Sequence, residues 1–458
     1  MHLYHFIGVS LLAICSCEQY SLSQLLPSTL RDEWCAVVPE IHFFGDTSDV
    51  KDEYMETFRR NIRSLTGSSR NTLEVKTIAG GTLKQSYLYC NGHDKFLCHA
   101  WDDEKHVEAG GYWHEPSQAL RDMECNETVT TDEDVMFFTN FYSDNYGHFL
   151  HDNFPGMMMG YALRERLAQS PTAKIMVPSN AISDHWLNLA MKDRMKDVIT
   201  YHKKNKICLI HESKTNANQL PGLHIMHLED PRNIFNIRNP FISSIATASM
   251  KTIVDNPTAS NLLSTSNTNS KCNERYVIFY LRAASANTFH GRPVMNNDDV
   301  IKMIQTVMTK HGRTEKLIIF NGQNHTFSTQ YELFSCARMI IGPHGSGLGN
   351  IMWAPHSANC ADPVHVIEIT CGSRCPEVHS NCPYNRNYFG LTGGFPWGVY
   401  HMMALTPEST NKATWISVNA LEALIDGIFS GRKFTDGSTI EANGQTFHSL
   451  IEKGQYPV

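Results

Sequence analysis

Beyond its N-terminus, this 458-residue sequence has no stretch approaching the roughly 18 consecutive apolar residues that a membrane-spanning helix needs. At the N-terminus, an apolar run from Phe6 to Cys15 is followed by small residues up to Cys17. This pattern is typical of a signal peptide over residues 1–17, with a short signal anchor as the alternative. We therefore expect a protein of the secretory-pathway lumen, in the Golgi or ER or secreted, with a soluble body.

Long runs of one charge are also missing. The 39 basic and 46 acidic residues are interspersed and give a formal net charge of -7. No segment predicts a face that neutralises phosphates, which counts against nucleic acid as the main partner. A hydrophobic fraction of 41% is that of a globular protein. The chain of 458 residues is longer than a domain with a single hydrophobic core usually is. We expect two domains.

The glycine-rich run at residues 342–349 fits none of three common nucleotide or nucleophile motifs. It lacks the last glycine of a dinucleotide fingerprint, and the chain has no P-loop sequence. A nucleophile elbow centred on Ser346 would need glycines where His344 and Leu348 stand. Ser346 is therefore interpreted as a small residue near a ligand, which disfavours an esterase-like hydrolase.

Cysteine is abundant, with thirteen residues in the chain. Four of them lie within residues 360–382 but without two C-x-x-C pairs, so disulfides are favoured over a zinc site in an oxidising lumen. Sequons at Asn126 and Asn324 are candidate glycosylation sites in that compartment.

Strands and helices alternate on both sides of a Ser/Thr/Asn-rich linker at residues 256–273, which indicates parallel α/β layers. Residues 18–130 read as an irregular extension with one helix. The predicted helices are 50–64, 156–169, 183–195, 297–310, 328–337 and a short one at 348–353. The predicted strands are 135–141, 174–178, 276–281, 317–320, 338–341 and 364–369.

The glycine run follows a predicted strand and precedes a helix. Glycines let a backbone approach an anion, and a helix N-terminus presents unpaired N–H groups to it. This arrangement predicts a diphosphate cradle at the carboxyl end of a sheet, with His344 as a further donor to phosphate or sugar oxygens. A tight structural turn is the alternative.

Four segments resemble glycosyltransferase family 61. Residues 344–355 are similar to its H-G-A-G-L-x-N-x-x-x-x-P signature, with Ser346 in place of alanine and Gly349 where threonine is frequent. Residues 145–155 match N-x-x-H-x-x-x-D-x-x-P. Residues 280–282, with Arg292 and Asn296, resemble its strand, Arg and R-x-x-x-N element, and residues 366–369 match V-x-E. The resemblance covers about residues 135 to 400 in family order.

The resemblance implies a GT-B fold, with two Rossmann-like domains facing a cleft. The acceptor-side domain would be residues 131–255 and the nucleotide-sugar domain residues 274–430, with a tail at 431–458. It also implies inverting transfer from a UDP-sugar without an essential metal. The sugar would be N-acetylglucosamine or xylose, and the acceptor a hydroxyl on a glycoprotein, glycan or polysaccharide.

Site residues follow from the matching positions. Arg282 at a strand end is expected to bind the diphosphate, because guanidinium geometry suits phosphate oxygens, and Glu368 to bind ribose hydroxyls. His148 and Asp152 are the candidates for the general base, with a helix cap and buried polar pair as the alternative. The donor-binding residues implied are Arg282, Arg292, His344, Gly345, Ser346, Gly347, Leu348 and Glu368.

Two other functions stay open from the sequence. A non-catalytic module that binds nucleotide or glycan would keep the cradle without turnover. A secreted hydrolase would need an elbow serine, and the chain has no G-x-S-x-G.

Overall fold

A computed structural model describes the fold of the chain in segments. These are residues 16–21, 41–44, 72–79, 85–91, 97–102, 105–108, 118–138, 146, 149–202, 205–211, 222–228, 249, 253, 272–282, 293–356, 363–370, 398–406, 408–409, 413–431 and 439–440. The predicted helix 50–64 and nearly all of the linker 256–273 lie outside these residues. Within the described segments, no helix is long and apolar enough to cross a membrane.

Eighteen strands occur in the described residues. In chain order, β1 to β18 are Ser16–Ser21, Ile41–Phe44, Thr72–Ala79, Gln85–Asn91, Leu97–Asp102, Lys105–Glu108, Glu127–Thr131, Val135–Phe138, Lys174–Pro178, Val198–Tyr201, Lys206–His211, Gly222–Leu228, Tyr276–Tyr280, Lys316–Phe320, Ala337–Pro343, Val364–Thr370, Gly398–Ala404 and Thr439–Ile440.

Six α-helices accompany them. In chain order, α1 to α6 are Gln118–Arg121, Phe154–Leu167, Ala181–Met191, Asn297–Lys310, Phe327–Ser335 and Val418–Phe429. A π-helical turn, Phe149–Asn153, leads into α2, and 3-10 helices occupy Lys192–Asp197, Gly322–Asn324 and Ser346–His356.

The strands form three sheets. The first has the order β1-β3-β12-β8-β9-β10, and its β12, β8, β9 and β10 run parallel. The second, β6-β5-β4-β11-β7, is antiparallel except where β11 pairs with β7. The third, β14-β13-β15-β16-β17-β2-β18, is parallel until β18 pairs antiparallel with β2.

The third sheet is covered on both faces, as parallel sheets require. On one face, α4 and α6 bury alternate strand residues such as Val277, Ile341 and Met403. The other face packs against α5 and the 3-10 helix Ser346–His356. This second apolar cluster also contains α2 and α3, so it joins both halves of the sequence in one core.

Aromatic rings make up the centre of this shared core. The indole of Trp353 stacks on that of Trp186 at 5.1 Å between ring centroids, and Phe154 lies 5.9 Å from Trp353. Trp186 and Phe154 come from the first half and Trp353 from the second. All three rings are fully buried, so this contact is an apolar junction between the two halves.

Most predicted elements of the parallel layers are present. Helix α4 has the predicted bounds 297–310, and strand β9 has the predicted bounds 174–178. The predicted strand 135–141 is described over Val135–Phe138. The α/β class with parallel sheets is therefore as expected, while the GT-B arrangement of two domains stays a prediction.

The expectation of an irregular extension over residues 18–130 was wrong. Strands β1 to β6 and most of β7 lie there, and they pair into all three sheets. Two strands of the extension and tail, β2 and β18, extend the third sheet at one edge. Several of these strands, such as β2, β3 and β4, pair with strands far away in sequence, which local periodicity does not report.

Two disulfides support the expectation of an oxidising compartment. Cys125 pairs with Cys208, and Cys272 with Cys336, with Cα–Cα distances of 5.7 and 5.5 Å. The second joins the segment before β13 to the segment before β15, where the two parallel strands lie side by side. The cysteines of residues 360–382 lie outside the described residues.

Asp134 links β8 to β12 and provides a test of this sheet. Its Oδ1 accepts from the Gly222 amide and contacts His224 Nε2, each at 2.9 Å. Burial alone would raise the pKa of Asp134, but the hydrogen bonds from His224 and Gly222 outweigh it and hold the pKa below its usual value.

We expect Asp134→Asn to lower the unfolding free energy by about 1 kcal/mol at neutral pH. A depressed carboxyl pKa stabilises the fold above the unfolded-state pKa, and this contribution disappears as pH falls through the folded-state pKa. The difference between the two proteins should therefore shrink below about pH 4. Urea unfolding at pH 6 and at pH 3.5 measures it, and a difference that stays constant or grows on acidification contradicts it.

Candidate functional site

The carboxyl ends of three parallel strands meet where the glycine turn, residues 342–349, begins. Strand β15 lies between β13 and β16, with Gly342 opposite Glu368 and Pro343 opposite Ile369. Arg282 follows β13 by two residues. Since parallel strands end at one edge of a sheet, Arg282, Glu368 and the turn come together there.

The turn backbone is held by one hydrogen bond to β16 and one within the turn. The His344 amide donates to the Ile369 carbonyl at 2.8 Å, which continues the pairing with β16 past the strand end. The Leu348 amide donates to the Gly345 carbonyl at 3.0 Å and begins the 3-10 helix Ser346–His356. The short helix predicted at 348–353 is thus a longer helix with tighter geometry.

Arg282 lies directly against the glycine turn. Its Nη1 donates to the His344 carbonyl at 2.7 Å. A Cβ atom at Gly345 would lie 3.1 Å from that Nη1 and 3.4 Å from the guanidinium carbon. Glycine at 345 therefore permits the guanidinium to lie close against the turn, and the strand-end arginine and the turn form one unit.

The other close glycines have a packing reason. A Cβ at Gly347 would be 2.5 Å from the ring of Tyr280, and one at Gly342 would be 2.7 Å from its Cβ. The Tyr280 ring thus covers the turn from the β13 side. These two glycines are required by contact with Tyr280, whatever ligand the turn binds.

Glu368 is fully buried and positions His344. Its Oε1 is 2.6 Å from His344 Nδ1, and its Oε2 accepts from the Tyr400 hydroxyl at 2.7 Å. Because a carboxylate oxygen accepts, His344 Nδ1 carries the hydrogen, which fixes the tautomer and the ring orientation. The opposite edge of the imidazole carries Nε2. A direct contact of Glu368 with ribose stays a prediction, and both its oxygens are engaged in this structure.

The residues of the glycine turn differ in exposure. The His344 side chain is 21% exposed, and Ser346 is exposed at the start of the 3-10 helix. Leu348 is fully buried in the apolar core, so its side chain packs and does not line the site. Donor binding by these residues stays a prediction.

Three of the predicted site residues, His148 and Asp152 on the acceptor side and Arg292 on the donor side, are described only in part or not at all. His148 and Arg292 lie outside the described residues, as does the side chain of Asp152. The backbone of Asp152 belongs to the π-helical turn Phe149–Asn153. That turn touches the glycine turn, since a Cβ at Gly349 would be 3.2 Å from Leu150 Cδ2.

A buried polar cluster connects the same two segments. The Tyr146 hydroxyl donates to Gln330 Oε1 at 2.7 Å, and Asn350 Nδ2 lies 3.1 Å from that hydroxyl oxygen. Asn350 Nδ2 is also 3.2 Å from the Gly347 carbonyl. Tyr146 belongs to the first half of the sequence, whereas Gln330 and Asn350 belong to the second.

The remaining site predictions concern metal and glycosylation. Across the described segments, no group of three or more His, Cys, Asp or Glu side chains could hold a metal ion. Asn126 and Asn324 are both exposed. Asn126 Oδ1 accepts from the Lys206 amide at 3.0 Å, and Asn324 ends the 3-10 helix Gly322–Asn324. Their glycosylation stays a prediction.

Sequence reasoning missed the partners that hold the site together, namely Tyr280, Tyr400, Tyr146 and Gln330. Tyr146 stood inside the quoted motif at residues 145–155 without a role. Tyr400 and Gln330 belong to no motif, and only the strand register and the packing of α5 bring them in.

Comparisons with known proteins agree with the resemblance. The family model described as Glycosyltransferase 61 matches residues 146–361, which contain the π-helical turn, the glycine turn and Arg282. No curated protein matches the chain. A solved structure, the metal-soaked Flv1 flavodiiron core from Synechocystis sp. PCC6803, shares 10% identity, covers 77% of this chain and 94% of its own, and has a TM-score of 0.21. A likeness that low carries no argument.

Proposed function

Because the chain belongs to glycosyltransferase family 61 over residues 146–361 and is therefore a glycosyltransferase, we propose that it transfers a sugar with inversion from a UDP-sugar to a hydroxyl group. N-acetylglucosamine or xylose is the proposed sugar. The acceptor hydroxyl belongs to a glycoprotein, a glycan or a polysaccharide, and the reaction takes place in the secretory-pathway lumen.

The observation that carries this proposal is the contact of Arg282 with the glycine turn. Its guanidinium is held by the His344 carbonyl at 2.7 Å, over a glycine without a side chain. A cation, a backbone of small residues and a 3-10 helix N-terminus at one sheet edge suit a diphosphate. This grouping supports binding of the UDP part of the donor.

The chemistry of inversion makes the leaving group the main demand on this edge. As the sugar–oxygen bond breaks, the transition state is oxocarbenium-like and the departing UDP gains negative charge. Donors that are positioned in advance stabilise that charge best. Arg282 supplies a fixed positive charge, and His344 is fixed in orientation by Glu368. These groups stabilise the leaving diphosphate in the proposed reaction.

The acceptor hydroxyl must lose its proton to a general base, for which we propose Asp152 or His148. Asp152 lies in the π-helical turn whose Leu150 contacts Gly349. The base-bearing segment thus begins beside the donor turn, which supports attack on the sugar from that side. Asp152 would take the proton directly or orient His148 as the base.

A panel of UDP-sugars tests the function. We expect the purified protein to hydrolyse one donor slowly, to transfer its sugar to a hydroxyl acceptor, and to keep this activity in EDTA. Anomeric NMR of the product should show inversion. Asp152→Asn should abolish transfer while UDP binding by calorimetry is kept.

Two other outcomes identify the alternatives. UDP binding without turnover of any donor would make the chain a non-catalytic nucleotide- or glycan-binding protein. Hydrolysis of an ester substrate without UDP binding would favour the hypothesis of an esterase-like hydrolase. Such an enzyme needs an elbow serine that the sequence lacks.

A further inference from the structure

The buried cluster of Tyr146, Gln330 and Asn350 has a defined direction of hydrogen bonding. Gln330 Nε2 donates to the Gly322 and His325 carbonyls at 3.2 and 3.1 Å. Its Oε1 must then be the atom that faces Tyr146, which donates to it at 2.7 Å. The orientation of the amide is thus set by the loop before α5.

Asn350 connects this cluster to the glycine turn. Its Nδ2 lies 3.1 Å from the Tyr146 hydroxyl oxygen, 3.0 Å from Gln330 Oε1 and 3.2 Å from the Gly347 carbonyl. Gln330 and Asn350 are 3% and 0% exposed. Hydrogen bonds that are shielded from water in this way are stiff and costly to leave unmade.

The Tyr146 hydroxyl is held as a neutral donor. Burial raises the pKa of Tyr146 well above its usual value, and the hydrogen bond from Asn350 only partly opposes this. The ring also stacks on Phe327 at 5.8 Å. Both ends of the side chain are therefore constrained by residues of the second half.

Tyr146 lies shortly before the π-helical turn that contains Asp152, one of the two proposed bases. It precedes His148 by two residues in the sequence, and the π-helical turn begins three residues after it, at Phe149. An apolar contact supports the polar one, since Leu150 packs against Gly349 on the same 3-10 helix that carries Asn350. Two independent contacts therefore join Tyr146 and Leu150 to residues 347–350.

We propose that Tyr146 is a positioning residue that couples the glycine turn to the π-helical turn Phe149–Asn153 through Gln330 and Asn350. The inference rests on the proposed function, because it assigns the base to this segment. Binding of UDP at the turn then sets the geometry of the base, although Tyr146 touches neither substrate. The coupling is carried by the Gly347 carbonyl, Asn350 Nδ2 and the Tyr146 hydroxyl, in that order.

Tyr146→Phe separates positioning from binding. We expect kcat to fall about tenfold or more, because a misplaced base lowers only the chemical step, while the donor KM stays within about twofold. Arg282 and His344 are untouched by the substitution, so UDP affinity measured by calorimetry should be nearly unchanged.

Tyr161→Phe is the matched control. Tyr161 also belongs to the first half and donates across elements, to Asp197 Oδ2 at 2.6 Å, and burial raises its pKa to about 12. Among the described residues, its hydrogen bonds are with Asp197 and Arg164 and do not reach the glycine turn. Its loss should lower the melting temperature comparably to Tyr146→Phe and leave kcat within about twofold.

Amide hydrogen exchange gives a readout that stability alone does not move. In the wild type, UDP should slow exchange in both 344–349 and 149–153. In Tyr146→Phe, protection should persist at 344–349 and be lost at 149–153. If Tyr146→Phe does not fold, Gln330→Met removes the acceptor of the same hydroxyl at similar volume and should give the same pattern.

The outcomes are distinct. The coupling is overturned if UDP protects 149–153 equally in the wild type and in Tyr146→Phe or Gln330→Met. It is also overturned if Tyr146→Phe and Tyr161→Phe lose kcat equally. Both results leave the proposed function intact. No UDP protection anywhere in the wild type overturns the proposed function, and the coupling with it.

Discussion

Replacing Arg282 by methionine is expected to lower kcat/KM for the donor by about 1,000-fold without unfolding the protein. The guanidinium is held by the His344 carbonyl at 2.7 Å, so it already lies where the diphosphate is proposed to bind. Methionine keeps much of the side-chain volume and removes the charge and every donor. Arg282→Lys should recover only part of the loss, because an ammonium does not match the planar fork of guanidinium.

Arg275→Met is the control for this substitution. Arg275 lies just before the same strand, β13, at its opposite end, and its Nη2 is 3.5 Å from the Ala337 carbonyl. We expect UDP affinity and kcat/KM to stay within about threefold of the wild type, because this arginine lies at the amino edge of the sheet. Steady-state kinetics and calorimetry with UDP measure both variants.

Gly345→Val approaches the same unit from the other side. A Cβ at residue 345 would lie 3.1 Å from Arg282 Nη1, and the two methyl groups of valine extend further. The guanidinium is the far end of a long side chain and can be displaced from the turn without moving the backbone, so the fold should persist and UDP binding should be lost. In the double variant with Arg282→Met, Gly345→Val should lower kcat/KM by less than about threefold relative to Arg282→Met alone, because both substitutions act on the same contact.

A folded Gly345→Val protein with wild-type UDP affinity would contradict the cradle. An Arg282→Met protein that resembles Arg275→Met would do the same. Either result would leave the glycine turn as a structural corner, which the contacts of Gly342 and Gly347 with Tyr280 already explain.

How far the sequence predicts this structure depends on how local the signal is. Helix α4 has buried residues at helical spacing and acidic residues in its first turn, and its predicted bounds are those observed. The strands of the parallel layers are short apolar runs bounded by turns. Most of their observed bounds lie within one to three residues of the predicted ones. Strand β3 carries no such signal, because both of its partners, β1 and β12, are distant in sequence. Strands β4 to β6 pair with their neighbours in the chain and were missed although these partners are close.

The site shows the same division. The glycine turn and Arg282 were predicted because motif and strand end mark them, and the structure brings them into contact. The burial of Glu368 was not predicted, since one glutamate in a strand does not reveal that Tyr400 on the next strand donates to it. In the register of β16 and β17, Glu368 lies opposite Met402 and Tyr400 lies two residues before Met402 on the same strand face, within reach of the carboxylate; register is a tertiary property.

The second substitution with a large expected effect is at this buried glutamate. Glu368→Gln should lower kcat/KM by about 100-fold with the fold retained. The amide has the same shape but no charge, so His344 loses the carboxylate that holds Nδ1 at 2.6 Å. Tyr400→Phe removes only one of the two hydrogen bonds to Glu368 and should cost about fivefold.

A double-mutant cycle decides how Glu368 acts. If it works through His344, Glu368→Gln should cost little more in a His344→Ala background, where no imidazole is left to orient. If the full 100-fold cost persists there, Glu368 contacts the donor directly, as the sequence-based expectation of ribose binding requires. The buried position of the carboxylate, with oxygens facing His344 and Tyr400, favours the first result.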